Sequence, residues 1–204
     1  MANTKSIDLE LSSSQYAYAA DSASLSITDD ISIEVWIKIE QKASTAGNVF
    51  PIVSKWDYGS TPKRSYHFSI SNTNDKLKFW VSDDGTADNT HRLTFDSTTV
   101  IGDSYVGVWA HVAVTFDIST ESCLFYIDSV EETGILSSGS TMGASIYDGD
   151  QNMAIACVYS DSTPILFYDG LIDEVRIWND IRTSAEISAN YQKELNGDEA
   201  GLAA

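Results

Sequence analysis

Ser65-Tyr-His-Phe-Ser-Ile70 and Lys76-Leu-Lys-Phe-Trp-Val81 stand on either side of Asn72-Thr-Asn-Asp75. Asn, Thr and Asp form turns, and both flanking runs alternate apolar and polar residues, so the stretch predicts a β-hairpin with a four-residue loop. Counting outward from the loop pairs Ile70 with Leu77, Phe68 with Phe79 and Tyr66 with Val81 on one face. Ser69 then faces Lys78, and His67 faces Trp80, on the other. Every large aliphatic falls on one side, and a slip of one residue would turn them all over. The register is self-consistent.

The same period of two recurs along the chain. In Ile31-Ser-Ile-Glu-Val-Trp-Ile-Lys-Ile39 five β-branched residues share one face, while Glu34, Trp36 and Lys38 share the other. Further strands are expected at Trp109–Phe116, Cys123–Ile127, Met153–Val158 and Leu171–Trp178. Polar stretches at Ser82–Asn89, Asp96–Asp103, Glu131–Gly143 and Asp148–Asn152 read as the loops between them. Many short antiparallel strands with polar loops predict an all-β, two-sheet antiparallel sandwich or a barrel. One helix is expected near the end, from about Ser184 to Leu195. Thr183-Ser-Ala-Glu186 is a capping box, Ile187, Tyr191 and Leu195 form one stripe, and Asn196-Gly197 supplies the stop. That helix should pack on an edge of the sandwich or between its sheets.

Composition narrows the function. Twelve Lys plus Arg against 30 Asp plus Glu give a net charge of −18 over 204 residues. Such a field repels nucleic acid and favours cations such as Ca²⁺. No apolar run approaches the roughly 18–20 residues of a membrane span, and Met1–Ile7 holds no hydrophobic signal region. Cys123 and Cys157 lack metal-site spacing; they read as buried thiols or as one disulfide between neighbouring strands.

Along nearly its whole length the chain resembles the laminin-G-like, concanavalin A-like lectin/glucanase jelly-roll modules. Ile7–Tyr18 and Asp21–Leu25 look like the family's opening strand and loop. Ile31–Ile37, Ile52-Val-Ser-Lys-Trp56, Trp109–Asp117 and Leu124-Phe-Tyr-Ile-Asp128 are similar to its central strands. Asp169–Trp178 followed by Arg182–Ile187 resembles its closing strand and helix. The family usually carries Gly where Ser129 stands. The resemblance implies a jelly roll with one short C-terminal helix over residues 1–195, and a linker over 196–204 toward a following module. It also implies a segment of a longer secreted or cell-surface protein.

Chemistry points away from catalysis. Retaining hydrolases on this sandwich need two carboxylates on one strand face, as in Glu-x-Asp-x-x-Glu, and no such spacing occurs. Asp173 and Glu174 are adjacent and so point to opposite faces. His67, His91 and His111 stand apart from any nucleophile or zinc motif. The resemblance implies a structural Ca²⁺ held by Asp21 and Asp173; turn capping for Asp21, and for Asp173 hydrogen bonds to turn amides or pairing with Arg176 or Arg182, are the plainer alternatives. Asp83-Asp-Gly-Thr-Ala-Asp-Asn89 suggests a second cation loop or a solvated one. Trp36, Trp109 and Trp178 fall where the family packs its sheets. Trp80, flanked by His67 and Lys78, offers a flat ring beside hydrogen-bonding groups, which suits the CH-rich face of a sugar. Trp56 and Tyr58 read as exposed rings of a loop that could serve the same end. The expected function is a non-catalytic module that binds a glycan or cell-surface polysaccharide, with no nucleic acid and no membrane insertion. A structural or adhesive spacer that binds protein, or no ligand, is the alternative.

Overall fold

The computed structural model describes residues 5–59, 62–86 and 88–204. Fifteen strands appear among them: β1 (Ile7–Leu9), β2 (Ala17–Ala19), β3 (Ile31–Ile39), β4 (Phe50–Trp56), β5 (Arg64–Ile70), β6 (Lys76–Ser82), β7 (Arg92–Val100), β8 (Ala110–Asp117), β9 (Ser122–Ile127), β10 (Val130–Thr133), β11 (Ile135–Ser138), β12 (Met153–Ile155), β13 (Val158–Ser160), β14 (Thr163–Ile165) and β15 (Gly170–Trp178). Two α-helices, α1 (Ala43–Ala46) and α2 (Ser184–Asn190), and two 3₁₀ turns, Leu11–Ser13 and Asp103–Tyr105, complete the regular structure of the described residues. A six-stranded sheet runs β1-β15-β3-β8-β9-β10, and a seven-stranded sheet runs β11-β7-β6-β5-β4-β12-β2. All pairings within both sheets are antiparallel, which makes the expected sandwich.

The core lies where the alternation put it. Ile31, Ile33, Val35, Ile37 and Ile39 face Phe68, Ile70, Leu77, Phe79 and Val81 across the sandwich, all buried in one cluster. The hairpin register is the one counted from its turn, with Ile70 opposite Leu77, Phe68 opposite Phe79 and His67 opposite Trp80. Burying such side chains contributes about 1.5–3 kcal/mol each, before the cost of ordering the chain.

Several expectations are corrected. Asp96–Asp103 is not all loop: β7 runs through Val100, because Asp96, Thr98 and Val100 alternate with residues of the opposite face. Glu131–Gly143 likewise holds most of β10 and all of β11. Met153–Val158 is broken by Ala156, whose φ of 69° ends β12 before β13 begins. Trp109 precedes β8 and is exposed, not packed into a sheet. Asp128 and Ser129 both have positive φ, at 49° and 66°, and form the two-residue turn between β9 and β10; Ser129 adopts the conformation that glycine would adopt more cheaply. Cys123 and Cys157 are buried free thiols, so the disulfide alternative falls.

Helix α2 has the predicted capping box but stops at Asn190, short of Leu195. It covers the outer face of the six-stranded sheet, neither an edge nor the space between sheets. Ile187 fills a site formed by Ala113 and Tyr126. Trp36 donates from Nε1 to the Tyr191 carbonyl at 2.8 Å, and Tyr191 stacks on its ring. Residues after the helix, expected as linker, return to β15: Leu202 bridges Trp178, and the Ile177 amide donates to Ala204.

Candidate functional site

The opposite outer face, on the seven-stranded sheet, is built from β4, β5, β6 and β7. Strand alternation sends His67 and Ser69 of β5, Lys78 and Trp80 of β6, and Arg92, Thr94 and Asp96 of β7 away from the core. On β4 Ser54 faces His67. A register shift between Lys55 and Trp56 then sets Trp56 opposite Arg64 and leaves Ser65 out of the pairing. The bulge is why Arg64, which by plain alternation would follow Tyr66 into the core, joins this face.

Four of the five expected ligand residues meet here. Trp80 lies 5.2 Å from His67, 5.7 Å from Trp56 and 5.6 Å from Tyr58, measured between ring centroids. Trp56 is the end of β4 and is fully buried, so it is a floor and not the exposed loop ring that was expected. Tyr58 and Trp80 are partly exposed above it. Lys78 does not join them; its ammonium pairs with Asp96 at 2.8 Å. Two residues that the sequence reading passed over do belong. The Arg92 guanidinium lies 5.6 Å from the Trp80 ring centroid, and that of Arg64 lies 6.0 Å from Trp56. Reading β7 as a strand would have placed Arg92 here, whereas nothing in the sequence announces the bulge that turns Arg64.

Polar atoms of this cluster are left without hydrogen bonds among the described residues. They include Nε1 of Trp56 and of Trp80, both ring nitrogens of His67, Oγ of Ser54 and Ser69, and Nε of Arg64 and Arg92. Burial holds the His67 imidazole far below its ordinary pKa, at about 3, so it is neutral. Burial also raises the Tyr58 hydroxyl pKa. Arg64 is lowered, first by burial and then by Arg92. Unsatisfied buried donors and acceptors are costly, about 1–3 kcal/mol each, unless a partner arrives.

The rim is held from below. Asp57 accepts from the amides of Gly59 at 2.6 Å and of Asp161 and Ser162 at 2.8 Å each, tying the Tyr58 loop to the β13–β14 turn. Tyr58 donates its own amide to Tyr159. A Cβ at Gly59 would come within 2.6 Å of the Asp161 backbone nitrogen, so glycine is required for that approach.

Asp21 and Asp173, the residues expected to hold calcium, have partners within the chain. Asp21 accepts from the buried Lys55 ammonium at 2.6 Å, and Asp173 accepts from the Glu174 amide at 2.8 Å. Neither belongs to a group of three metal-ligating side chains among the described residues, where calcium usually collects several carboxylates. In the acidic loop Asp83, Asp84 and His91 do come together. Their atoms are engaged internally, Asp83 by His91 and the Gly143 amide, Asp84 by Thr86.

A protein-family model described as the concanavalin A-like lectin/glucanases superfamily, Laminin_G_3, matches residues 11–188. No curated protein matches the sequence. Among solved structures, a putative carbohydrate binding protein from Bacteroides ovatus is 17% identical with a TM-score of 0.61, over 92% of this chain and 47% of that one. The CBM40 of the Ruminococcus gnavus IT-sialidase, bound to α2,3 sialyllactose, is 14% identical with a TM-score of 0.64, over 91% of this chain and 94% of that one. Domain 4 of AbnA, a GH43 extracellular arabinanase from Geobacillus stearothermophilus, in complex with arabinotriose, is 17% identical with a TM-score of 0.53, over 86% of this chain and 80% of that one. At these identities the likeness establishes the fold. This chain spans about half the length of the Bacteroides protein.

Proposed function

The chain belongs to the concanavalin A-like lectin/glucanase superfamily, and from that premise we propose that it is a non-catalytic carbohydrate-binding module. The observation that carries the reading is the aromatic cluster on the seven-stranded sheet. Tyr58 and Trp80 present partly exposed rings, and beneath or beside them the indole N–H groups and the His67 nitrogens have no hydrogen-bond partner among the described residues. A sugar supplies both needs at once, a CH face for the rings and hydroxyls for the polar atoms. The sugar complexes among the structural neighbours support the same reading. Their extracellular and sialidase contexts support a module of a larger secreted or surface protein.

A glycan array followed by titration of Trp80→Ala tests it. The variant binds at least roughly tenfold more weakly, about 1.4 kcal/mol. Trp80→Phe keeps a ring and retains most of the affinity, which separates lost stacking from lost folding. Unchanged affinity in Trp80→Ala would remove this site. A second reading, a module that docks on protein, is favoured by the exposed Val130, Ile135 and Leu136 on the adjoining strands β10 and β11. An array with no bound glycan would leave that reading standing.

A further inference from the structure

We propose that the saccharide held at this site is acidic, with its carboxylate taken by Arg64 and Arg92. The inference rests on the carbohydrate-binding reading above and specifies the chemistry of the ligand. The chain has four arginines and 30 carboxylate side chains, so an ionic partner is easily found. Arg176 pairs with Glu174 at 3.0 Å, and Arg182 with Glu186 at 3.2 Å. Arg64 and Arg92 have no carboxylate within 4.0 Å among the described residues. They meet only neutral acceptors, Arg64 the carbonyls of Tyr58 and Gly59, and Arg92 the side-chain oxygen of Asn89.

The nearby acids are committed elsewhere. Asp57 spends both carboxylate oxygens on backbone amides, and Asp84 accepts from Thr86. Arg64 is 7% exposed, and two cations placed close enough to disfavour each other form a site that lacks an anion. Nε is unbonded in all four arginines, so what sets this pair apart is the missing carboxylate, and a guanidinium grips a carboxylate through two parallel hydrogen bonds. Each lies against an indole, so the cationic edge and the stacking surface belong to one site. A neutral sugar would leave both cations unpaired. A carboxylated one offsets both.

The test uses the full chain and two matched pairs of probes, sialyllactose beside lactose and trigalacturonate beside galactotriose, which also separate a sialic acid from a uronic acid as the source of the carboxylate. In at least one pair the acidic member binds roughly tenfold or more tightly than its neutral partner. Arg92→Gln, and independently Arg64→Gln, reduces that ratio to less than about threefold. Melting temperatures identify any variant that fails to fold, in which case Arg92→Lys, which keeps the charge but loses the fork, is expected to lower the ratio as well. Equal binding of acidic and neutral members in both pairs, or an unchanged ratio in the variants, overturns the proposal while the carbohydrate reading stands. Absence of binding to every glycan of a broad array overturns that reading, and this one with it.

Discussion

Both outer faces of the sandwich carry tryptophan, histidine and arginine, yet they are finished differently. On the six-stranded sheet, α2 lies over Trp36, the Trp36 indole N–H reaches a carbonyl, and Arg176 donates to carbonyls at the helix end. His111 faces Glu34 at 3.5 Å. On the seven-stranded sheet, the side-chain nitrogens of Trp80, Trp56 and His67 have no hydrogen bond, and the two arginines no carboxylate within 4.0 Å, among the described residues. The first face is not free of unbonded atoms among the described residues, since Oε2 of Glu34, Nδ1 of His111, Nε1 of Trp178 and Nε of Arg176 and Arg182 also lack hydrogen bonds. The difference is that both its arginines have a carboxylate, Glu174 for Arg176 and Glu186 for Arg182, and that Trp36 reaches a carbonyl, while Arg182 lies over the Trp178 ring at 4.1 Å. Similar residues can therefore close a surface or leave it open. What decides is whether the chain itself brings the partners.

Trp36→Ala breaks the comparison most severely if it is wrong. Removing that ring leaves Tyr191 without its stacking partner and opens a space under the helix, which costs about 3 kcal/mol, the lower end of the range for aromatic truncation because the ring is only partly buried. In a chain of this size that lowers the melting temperature by about 6–12 °C. Glycan affinity is unchanged, the opposite pattern from Trp80→Ala. Should both tryptophan variants lose stability equally and keep affinity, the two faces are equivalent and the open one is no site.

The sequence made the closed face and the hairpin legible for a physical reason. Period-two alternation and a capping box are local signals, so β3, the β5–β6 register and the start of α2 could be read residue by residue. Strand β7 was hidden because Asp96-Ser-Thr-Thr-Val100 is polar enough to look like a loop, although threonine suits a strand well. Missing β7 meant missing Arg92. Trp56-Asp-Tyr-Gly-Ser60 reads as a loop with exposed rings, and only the sheet pairing shows that Trp56 still belongs to β4. The bulge at Ser65 that rotates Arg64 outward depends on pairing with β4, a contact between segments that no local pattern encodes.

Acid titration sharpens the contrast through His67. In the unfolded chain an imidazole takes up its proton near pH 6.5, and in the folded chain His67 does so only near pH 3. Between these values the unfolded state holds the extra proton. His67 therefore contributes its full stability above about pH 6.5 and loses it as the pH falls, by about 1.4 kcal/mol per unit. His67→Asn removes that part of the slope, so wild type and variant converge between pH 6 and pH 4 in denaturant titrations. Parallel curves over that range would mean that His67 is reached by water or finds a partner, and is not the buried, unbonded imidazole described.

Lys78 provides the smallest effect and the finest cut. It shares the outer face of β6 with Trp80 and sits one alternation away, so position alone would make it a ligand residue. Its ammonium is instead 2.8 Å from Asp96 on the facing strand, a pairing that offsets both charges without any ligand. A cross-strand ion pair of this kind, with both side chains still touched by water, contributes less than about 1 kcal/mol. Lys78→Ala is thus expected to lower stability by no more than that and to leave binding of every glycan within about twofold, or roughly 0.4 kcal/mol. If Lys78→Ala instead abolishes the preference for acidic sugars, the lysine and not the arginines reads the carboxylate, and the boundary of the open face moves one strand position along β6.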